Sequence, residues 1–195
     1  MKNIAIFASG SGTNAQKLME YFSNSKTAKV KIILSNKADA FVLERATKFS
    51  VTTIVFDRDD LYIKGKVLKI LIDNNIEIIV LAGFLWLVPV EILRHYPDRI
   101  VNIHPALLPD YGGKGMYGSR VHKAVLENKE KESGISIHYV NEKYDEGSII
   151  FQARCEVKPD DTPESLAGRI HKMEHKYYPV IVEKLIMEAQ NDSRS

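Results

Sequence analysis

The feature that most constrains the fold is a regular alternation between short β-branched runs and amphipathic helical patterns. The apolar runs cover residues 3–8, 29–35, 52–56, 77–82 and 99–103, and helical patterns fill most of the gaps between them. Such alternation predicts βαβ units, in which helices cover both faces of a parallel sheet. Ligands of these sheets bind beyond the carboxyl ends of the strands. The pattern therefore predicts a doubly wound, Rossmann-like α/β fold and the edge at which a site would lie.

Local patterns add detail to this outline. Residues 13–24 predict a helix, with Thr13 and Gln16 as a capping box, and residues 64–75 predict another. After residue 105, a glycine-rich stretch at 111–118 precedes a short helix at 119–128, and two strand patterns follow at 134–140 and 148–157. We expect these two strands to form a C-terminal antiparallel extension of a mostly parallel sheet.

The last predicted helix begins with Thr162 as N-cap and Pro163 at the first helical position. Pro179 is expected to kink it. Residues 191–195 are expected to fray.

Charge and composition limit the range of partners. The 195 residues include 27 Lys and Arg against 25 Asp and Glu, without a long basic block, so we expect neither nucleic acid nor a membrane as partner. Cys155 is the single cysteine, and the chain begins without a signal peptide pattern, which suggests the cytoplasm. The apolar runs are shorter than the roughly 20 residues that a membrane span needs.

The loop at residues 8–14 joins the first strand to the first helix and contains Gly10 and Gly12. Its backbone N–H groups could bind a phosphate at the helix N-terminus. The alternative is a tight βα turn with an ordinary helix cap. The loop matches neither the dinucleotide fingerprint nor a P-loop.

Asn102 and His104 end the fifth strand pattern and are two residues apart, so both side chains leave the same face. Asp145, in a loop about forty residues later, could pair with His104 and raise the pKa of the imidazole, which would make His104 a proton donor near neutral pH. An amide and an imidazole can hold an oxyanion between them. The alternative is that His104 only hydrogen-bonds to the backbone. His138 is a secondary candidate, equally well explained as a polar residue on a strand face.

Two further segments suggest ligand contacts. Glu174 lies near the inward face of the last helix, where a carboxylate needs a partner, either a substrate amine or hydroxyl or a nearby cation. Residues 81–89 form an apolar loop after the fourth strand, which could be simple core or the wall of a pocket for a flat heterocycle. We find no metal-ligand spacing and no context for a nucleophilic serine or cysteine.

Together, these segments resemble the phosphoribosylglycinamide formyltransferases, from residue 3 to about 185. The Asn-x-His-Pro-x-Leu-Leu-Pro block at 102–109 is typical of folate-dependent formyltransferases generally. The Gly-Ser-Gly-Thr-Asn loop at 10–14 and the pair Glu174-His175 point to the glycinamide ribonucleotide branch. Segments 35–40, 81–84 and 145–147 add to the likeness.

The resemblance implies transfer of a formyl group from 10-formyltetrahydrofolate, as co-substrate and without a metal, to the amine of glycinamide ribonucleotide in purine synthesis. It implies that Asn102 and protonated His104 stabilise the tetrahedral oxyanion, while Asp145 raises the pKa of His104. Gly12, Thr13 and Asn14 would bind the phosphate and Glu174 the glycinamide end. The folate contacts would be Asn102, Leu85, Trp86, Leu87, Val88, Val140, Asn141 and Tyr144.

The resemblance also implies a single domain over 1–190, with a phosphate-binding half at 1–103 and a catalytic and folate-binding half at 104–190, acting as a monomer or homodimer. Three features depart from the family pattern, one of them a glycine-rich insert at 112–118 that is longer than in some relatives. Trp86 stands where many members carry Arg, and His171 where Gln or Lys is common. Arg58, a candidate contact for the folate glutamate tail, lies where loop lengths differ.

Three alternatives remain open. A formyltetrahydrofolate hydrolase would use the same three polar residues on water, but the resemblance would then imply an additional N-terminal regulatory domain. A methionyl-tRNA formyltransferase would require a basic C-terminal domain. A catalytically silent nucleotide-binding module would not need all three polar positions.

Overall fold

The computed structural model describes residues 1–192, with side chains described up to residue 189. Seven strands form one sheet in the order β3-β2-β1-β4-β5-β6-β7. Their bounds are β1 Lys2–Phe7, β2 Ala28–Ser35, β3 Thr52–Val55, β4 Ile78–Leu81, β5 Ile100–His104, β6 Glu132–Tyr139 and β7 Ile149–Glu156. Strands β1 to β5 pair in parallel, whereas β6 and β7 pair antiparallel. The predicted mostly parallel sheet with an antiparallel extension is therefore confirmed.

Helices cover both faces of this sheet. They are α1 Thr13–Phe22, α2 Phe41–Thr47, α3 Arg58–Tyr62, α4 Lys66–Asp73, α5 Val90–His95, α6 Ser119–Glu127 and α7 Pro163–Asp192. Alternate residues of β1 belong to different hydrophobic cores. The core that contains Ile4 includes residues of α1, α2, α6 and α7, whereas the core that contains Ala5 includes residues of α3, α4 and α5. Burial on both faces explains why the parallel strands appear in the sequence as continuous apolar runs.

The predicted capping box at the start of α1 is wrong. Thr13 is the first helical residue, and Gly12, in the left-handed region at φ 72°, precedes it without any side-chain cap. The Gln16 side chain instead donates to Glu20 and accepts from Arg45. The first-turn N–H groups therefore have no side-chain acceptor.

Helix α7 confirms the predicted cap, because the Thr162 hydroxyl oxygen accepts a hydrogen bond from the Ser165 N–H at 3.2 Å. The helix continues through Pro179, where the expected kink stays a prediction. Tyr178 is fully buried and donates from Oη to the Leu81 carbonyl at 2.8 Å, which fixes α7 against the carboxyl end of β4. Of the predicted frayed tail at 191–195, residues 193–195 lie outside the described part of the chain.

Within residues 1–192, no helix has both the length and the apolar character needed to span a bilayer.

Candidate active site

A cavity of about 570 Å³ opens at the carboxyl ends of β1, β4 and β5, at the edge that the strand pattern predicts. Its wall includes the loop at 10–14, the apolar loop after β4, the end of β5, the glycine-rich segment at 113–118 and residues of α6 and α7. Chain segments far apart in the sequence therefore meet around one space.

One end of the cavity brings together the three predicted catalytic side chains. Asn102 and His104 lie at the end of β5, and Asp145 lies in the loop between β6 and β7 with a left-handed φ of 56°. Oδ2 of Asp145 is 3.5 Å from Nδ1 of His104, and Asn102 Nδ2 donates to Asp145 Oδ1 at 3.4 Å. The structure therefore brings the three side chains together, and we call them the catalytic cluster after the role predicted for them.

Backbone contacts determine which nitrogen of His104 is available. The Tyr111 carbonyl lies 2.7 Å from Nε2, and a carbonyl can only accept, so the neutral ring carries its proton on Nε2. The lone pair of the neutral ring is then on Nδ1, beside Asp145.

The ionisation of His104 differs from the prediction. Burial lowers the pKa of this imidazole, and the upward effects of Asp145 and the Tyr111 carbonyl do not outweigh burial. Asp145 thus acts in the expected direction, but in the ligand-free protein the ring favours its neutral form. Neutral His104 accepts a proton before it can donate one.

Asp145 is held as an anion. Burial alone would raise the pKa of its carboxyl, but His138, the charge of His104 and the Gly113 N–H together bring the pKa below its ordinary value. The Gly113 N–H donates to Asp145 Oδ2 at 3.0 Å. A Cβ on Gly112 would lie 2.6 Å from Leu108 Cδ2 and 3.2 Å from the Asp145 Cβ, so this segment can approach the carboxylate closely only with glycine there.

His138 also belongs to this end of the cavity. It pairs with Asn102 across β5 and β6, its Nδ1 lies 2.8 Å from the Tyr139 carbonyl, and its Nε2 lies 3.1 Å from Asn102 Nδ2. Nε2 is also 3.6 Å from Asp145 Oδ1. His138 is only a secondary candidate in the sequence analysis, because the strand pattern alone does not reveal that His138 pairs with Asn102 of the neighbouring strand.

The opposite end of the cavity is formed by the loop at 10–14 and by α7. Asn14 Nδ2 donates to Glu174 Oε2 at 2.9 Å, while Asn14 Oδ1 is buried without a partner. Glu174 is buried, and this burial raises the pKa of its carboxyl, against the opposing effects of Asn14 and His171. With the uncapped N-terminus of α1, these groups form one end of the cavity, which we call the nucleotide end after the ligand predicted for it.

The apolar loop after β4 is a cavity wall and not only core. Its lining residues, with those contributed by the loop after β6, are Leu85, Trp86, Leu87, Val88, Val140 and Tyr144. Phe56 packs edge-on to Trp86 from behind, with ring centroids 6.2 Å apart.

Two predicted folate contacts do not line the cavity. Arg58 is exposed and stacks over Trp86, with its guanidinium carbon 5.1 Å from the ring centroid. The Asn141 side chain accepts from the Lys143 N–H at 2.9 Å, which closes a local turn.

Sequence reasoning missed several lining residues, namely Lys114, Arg120 and His122. The sequence pattern could have indicated His122, because this residue lies with Val121 and Val125 on the buried face of α6. A polar side chain on an apolar helix face requires a reason. Within the described residues, no group of three His, Cys, Asp or Glu side chains could hold a metal ion.

Comparisons with known proteins agree with this geometry. The formyl transferase family model matches residues 2–182. The chain belongs to this family. Phosphoribosylglycinamide formyltransferase from Bacillus subtilis is 34% identical, with 95% of each chain covered. The chloroplastic enzyme of that name from Arabidopsis thaliana is 42% identical over 93% of this chain, which spans 64% of that relative's length.

A solved structure of glycinamide ribonucleotide transformylase 1 from Symbiobacterium toebii has a TM-score of 0.88. That chain is 32% identical, and the match covers 96% of this chain and 89% of the other. The similarity therefore extends over the whole sheet and its helices.

Proposed function

We propose that this formyl transferase family member moves the formyl group of 10-formyltetrahydrofolate to the amine of N1-(5-phosphoribosyl)glycinamide, in de novo purine biosynthesis. The observation that carries the proposal is one cavity that joins an uncapped helix N-terminus to the catalytic cluster. A phosphorylated amine can bind its phosphate at the helix N-terminus and react at the catalytic cluster. The names of the relatives specify the substrate.

The phosphate is assigned to the backbone N–H groups of Gly12, Thr13 and Asn14. This assignment is supported by the first turn of α1, whose N–H groups have no side-chain acceptor and where the helix dipole favours an anion. The family resemblance assigns Glu174 to the glycinamide end. The hydrogen bond between Glu174 and Asn14 also favours a contact from Glu174 to the ribose hydroxyls, because Asn14 belongs to the phosphate loop.

The pteridine of the folate is assigned to the apolar wall formed by residues 85–88 together with Val140 and Tyr144. These side chains line the cavity next to Asn102, so a bound folate could present its formyl group to the catalytic cluster. Arg58 is retained as the contact for the glutamate tail, supported by its exposed guanidinium over Trp86. Asn141 is retained through its place in the turn before Lys143.

In the proposed reaction, the substrate amine attacks the formyl carbon and a new C–N bond forms. Neutral His104 takes the proton that the amine loses, through Nδ1, and the resulting imidazolium stabilises the oxyanion of the tetrahedral intermediate. The imidazolium then protonates the folate N10 as the bond from the formyl carbon to N10 breaks. No covalent enzyme intermediate is needed, so positioning and electrostatic preorganisation supply most of the acceleration.

Asn102 is the second oxyanion donor in this scheme. Without ligand, its amide donates to His138 and Asp145, at 3.1 and 3.4 Å. The longer of these bonds is the one that a developing oxyanion would replace, because hydrogen bonds in empty active sites are often long and rearrange on binding. Asp145 would then compensate the positive charge on His104.

The remaining expectations follow from the same assignment. One formyltransferase domain at 1–190 would divide into the halves at 1–103 and 104–190, with small molecules as its partners, in the cytoplasm, as a monomer or homodimer. The phosphate loop in the first half, with His104, Val140, Tyr144 and Asp145 in the second, supports that division, whereas the apolar wall at 85–88 and Asn102 belong to the first half.

Incubation with 10-formyltetrahydrofolate, with and without glycinamide ribonucleotide, tests the function. Transfer predicts release of tetrahydrofolate only when the amine is present, in a one-to-one ratio with formylated product. Turnover of the folate without the amine would indicate a hydrolase instead. No turnover in either condition would indicate a binding module.

A further inference from the structure

His122 is a buried imidazole in the cavity wall that the proposed mechanism does not use. The residue is 2% exposed and lies on α6. Its Nδ1 has no hydrogen-bond partner in the protein. Burying a polar group without a partner costs about 1–3 kcal/mol, so an unpaired nitrogen at this position needs an explanation.

The surroundings of His122 exclude a role as a fixed cation. Burial, with smaller contributions from the neighbouring imidazoles of His171 and His104, lowers its pKa to about 4. A neutral imidazole offers one donor and one acceptor, which matches a hydroxyl, amide or amine. A phosphate, which offers only acceptors and carries negative charge, fits the N-terminus of α1 better.

The neighbours of His122 belong to both ends of the cavity. His104 of the catalytic cluster and His171 both affect the pKa of His122, and His171 also affects the pKa of Glu174 at the nucleotide end. All four side chains line the same cavity. In the proposed binding mode, the ribose and glycinamide lie between the nucleotide end and the catalytic cluster, because they join the phosphate to the reacting amine.

We infer that His122 is a substrate-binding residue whose neutral imidazole hydrogen-bonds an O–H or N–H group of the nucleotide between its phosphate and its reacting amine. This inference rests on the proposed function for the identity of the nucleotide. It assigns His122 to the nucleotide and not to the folate. It also explains a polar ring on an otherwise apolar helix face.

The test compares His122→Phe, which keeps a ring without polar atoms, with His122→Gln, which keeps a donor and an acceptor. His95→Phe is the matched control, because His95 is exposed on α5 and does not line the cavity. For His122→Phe we expect KM for glycinamide ribonucleotide to rise about tenfold, with KM for the folate within about twofold of wild type. His122→Gln should recover most of the nucleotide affinity.

Thermal unfolding separates binding from folding. Ligand-free His122→Phe should melt at or above the wild-type temperature, because an unpaired polar group is removed, yet glycinamide ribonucleotide should stabilise it less than it stabilises wild type. Equal stabilisation by the nucleotide in both proteins, or equal loss for nucleotide and folate, would overturn the inference.

Wild-type protein provides a measurement that needs no stable apolar variant. The ¹⁵N resonances of the His122 ring, identified by their absence in His122→Gln, should shift on saturation with glycinamide ribonucleotide and stay in place with folate alone. Unchanged resonances at saturation would refute the contact. If wild type binds no glycinamide ribonucleotide at all, the proposed function fails first, which distinguishes the two failures.

Discussion

The two ends of the cavity differ in how far the protein satisfies its own polar groups. At the catalytic cluster, Asp145 accepts from the Gly113 N–H and from Asn102, and His104 contacts the Tyr111 carbonyl. At the nucleotide end, the first turn of α1 has no side-chain cap and Asn14 Oδ1 is buried without a partner. The polar groups of the first end are paired within the protein, whereas the second end leaves some of its polar groups unpaired.

This difference corresponds to two physical tasks. Stabilising a short-lived oxyanion requires groups that are already oriented, because reorientation during the reaction would add to the barrier. Binding a stable nucleotide can leave polar groups unpaired in the free protein and recover that cost when the ligand arrives. Variants at the catalytic cluster should therefore change kcat, and variants at the nucleotide end should change substrate affinity.

The largest effect is expected for Asp145→Asn. Loss of the negative charge should reduce kcat by about 10²- to 10³-fold, because the imidazolium of His104 loses its partner. Asp145 raises the pKa of His104, so the variant should have a lower His104 pKa and its acid limb of activity should move to lower pH. A pH profile of kcat provides the measurement.

The control for this variant is Glu146→Gln, an exposed neighbour in the same loop. It should stay within about twofold of wild type, since surface substitutions usually have small effects. An acid limb at the same pH in Asp145→Asn and wild type would remove the role given to Asp145.

Gly112→Ala should have the next largest effect. The added methyl group would press on Leu108 and on the Cβ of Asp145, displacing the segment that donates the Gly113 N–H. We expect kcat to fall about 10- to 100-fold, in line with the sensitivity of catalysis to small displacements, with KM for the nucleotide nearly unchanged.

Gly168→Ala is the matched control, because a Cβ at this position in α7 has nothing within 4 Å. Its activity should be unchanged and its stability should rise by about 0.5–1 kcal/mol, measured by denaturant unfolding. Full activity in Gly112→Ala would contradict the importance of this close approach.

Asn14→Leu tests the nucleotide end. Loss of its hydrogen bond to Glu174 and of its place at the helix N-terminus should raise the Kd for glycinamide ribonucleotide about tenfold, while folate affinity stays within about twofold. Titration calorimetry with each ligand measures both. An equal loss for both ligands would mean that the two ends are not separate binding regions.

The smallest effect is expected for Glu174→Gln, on the stability of the ligand-free protein. Burial raises the pKa of this carboxyl above 4.5, so wild type loses stability as pH rises above 4.5 through the raised pKa. Glutamine resembles the protonated acid, so the variant should melt a few degrees higher at pH 8 and equally near pH 4.

Glu188→Gln, in an exposed i,i+4 pair on the same helix, should show no such pH-dependent difference. If Glu174→Gln melts at or below the wild-type temperature at pH 8, burial of the Glu174 carboxylate does not destabilise the ligand-free protein.

The same two ends show what the sequence could predict. The strand pattern located the edge of the sheet, and the two-residue spacing of Asn102 and His104 indicated their shared face, because both are local properties. The pKa of His104 could not be predicted, since its burial depends on segments that only tertiary structure brings together. Asp145 was paired with His104 correctly, but burial outweighs its effect.

Other errors come mainly from contacts between separate segments of the chain. The capping box failed because Gly12 and not Thr13 precedes the helix, and the Gln16 side chain instead pairs with Glu20 and with Arg45 of another helix. Arg58 could not be located because the position of its guanidinium depends on Trp86 and Tyr62, which follow from loop packing. His122 could have been noticed, since its position on the buried face of α6 is visible from the spacing of Val121 and Val125.

A crystal structure with glycinamide ribonucleotide and a non-transferable folate analogue measures both ends together. We expect the phosphate on the N–H groups of Gly12, Thr13 and Asn14, new ligand contacts at Asn14 and Glu174, and a distance from His104 Nδ1 to Asp145 Oδ2 close to the present 3.5 Å. A phosphate bound elsewhere, or a catalytic cluster that forms only after His104 and Asp145 move together, would contradict the division between a prearranged end and an end completed by ligand.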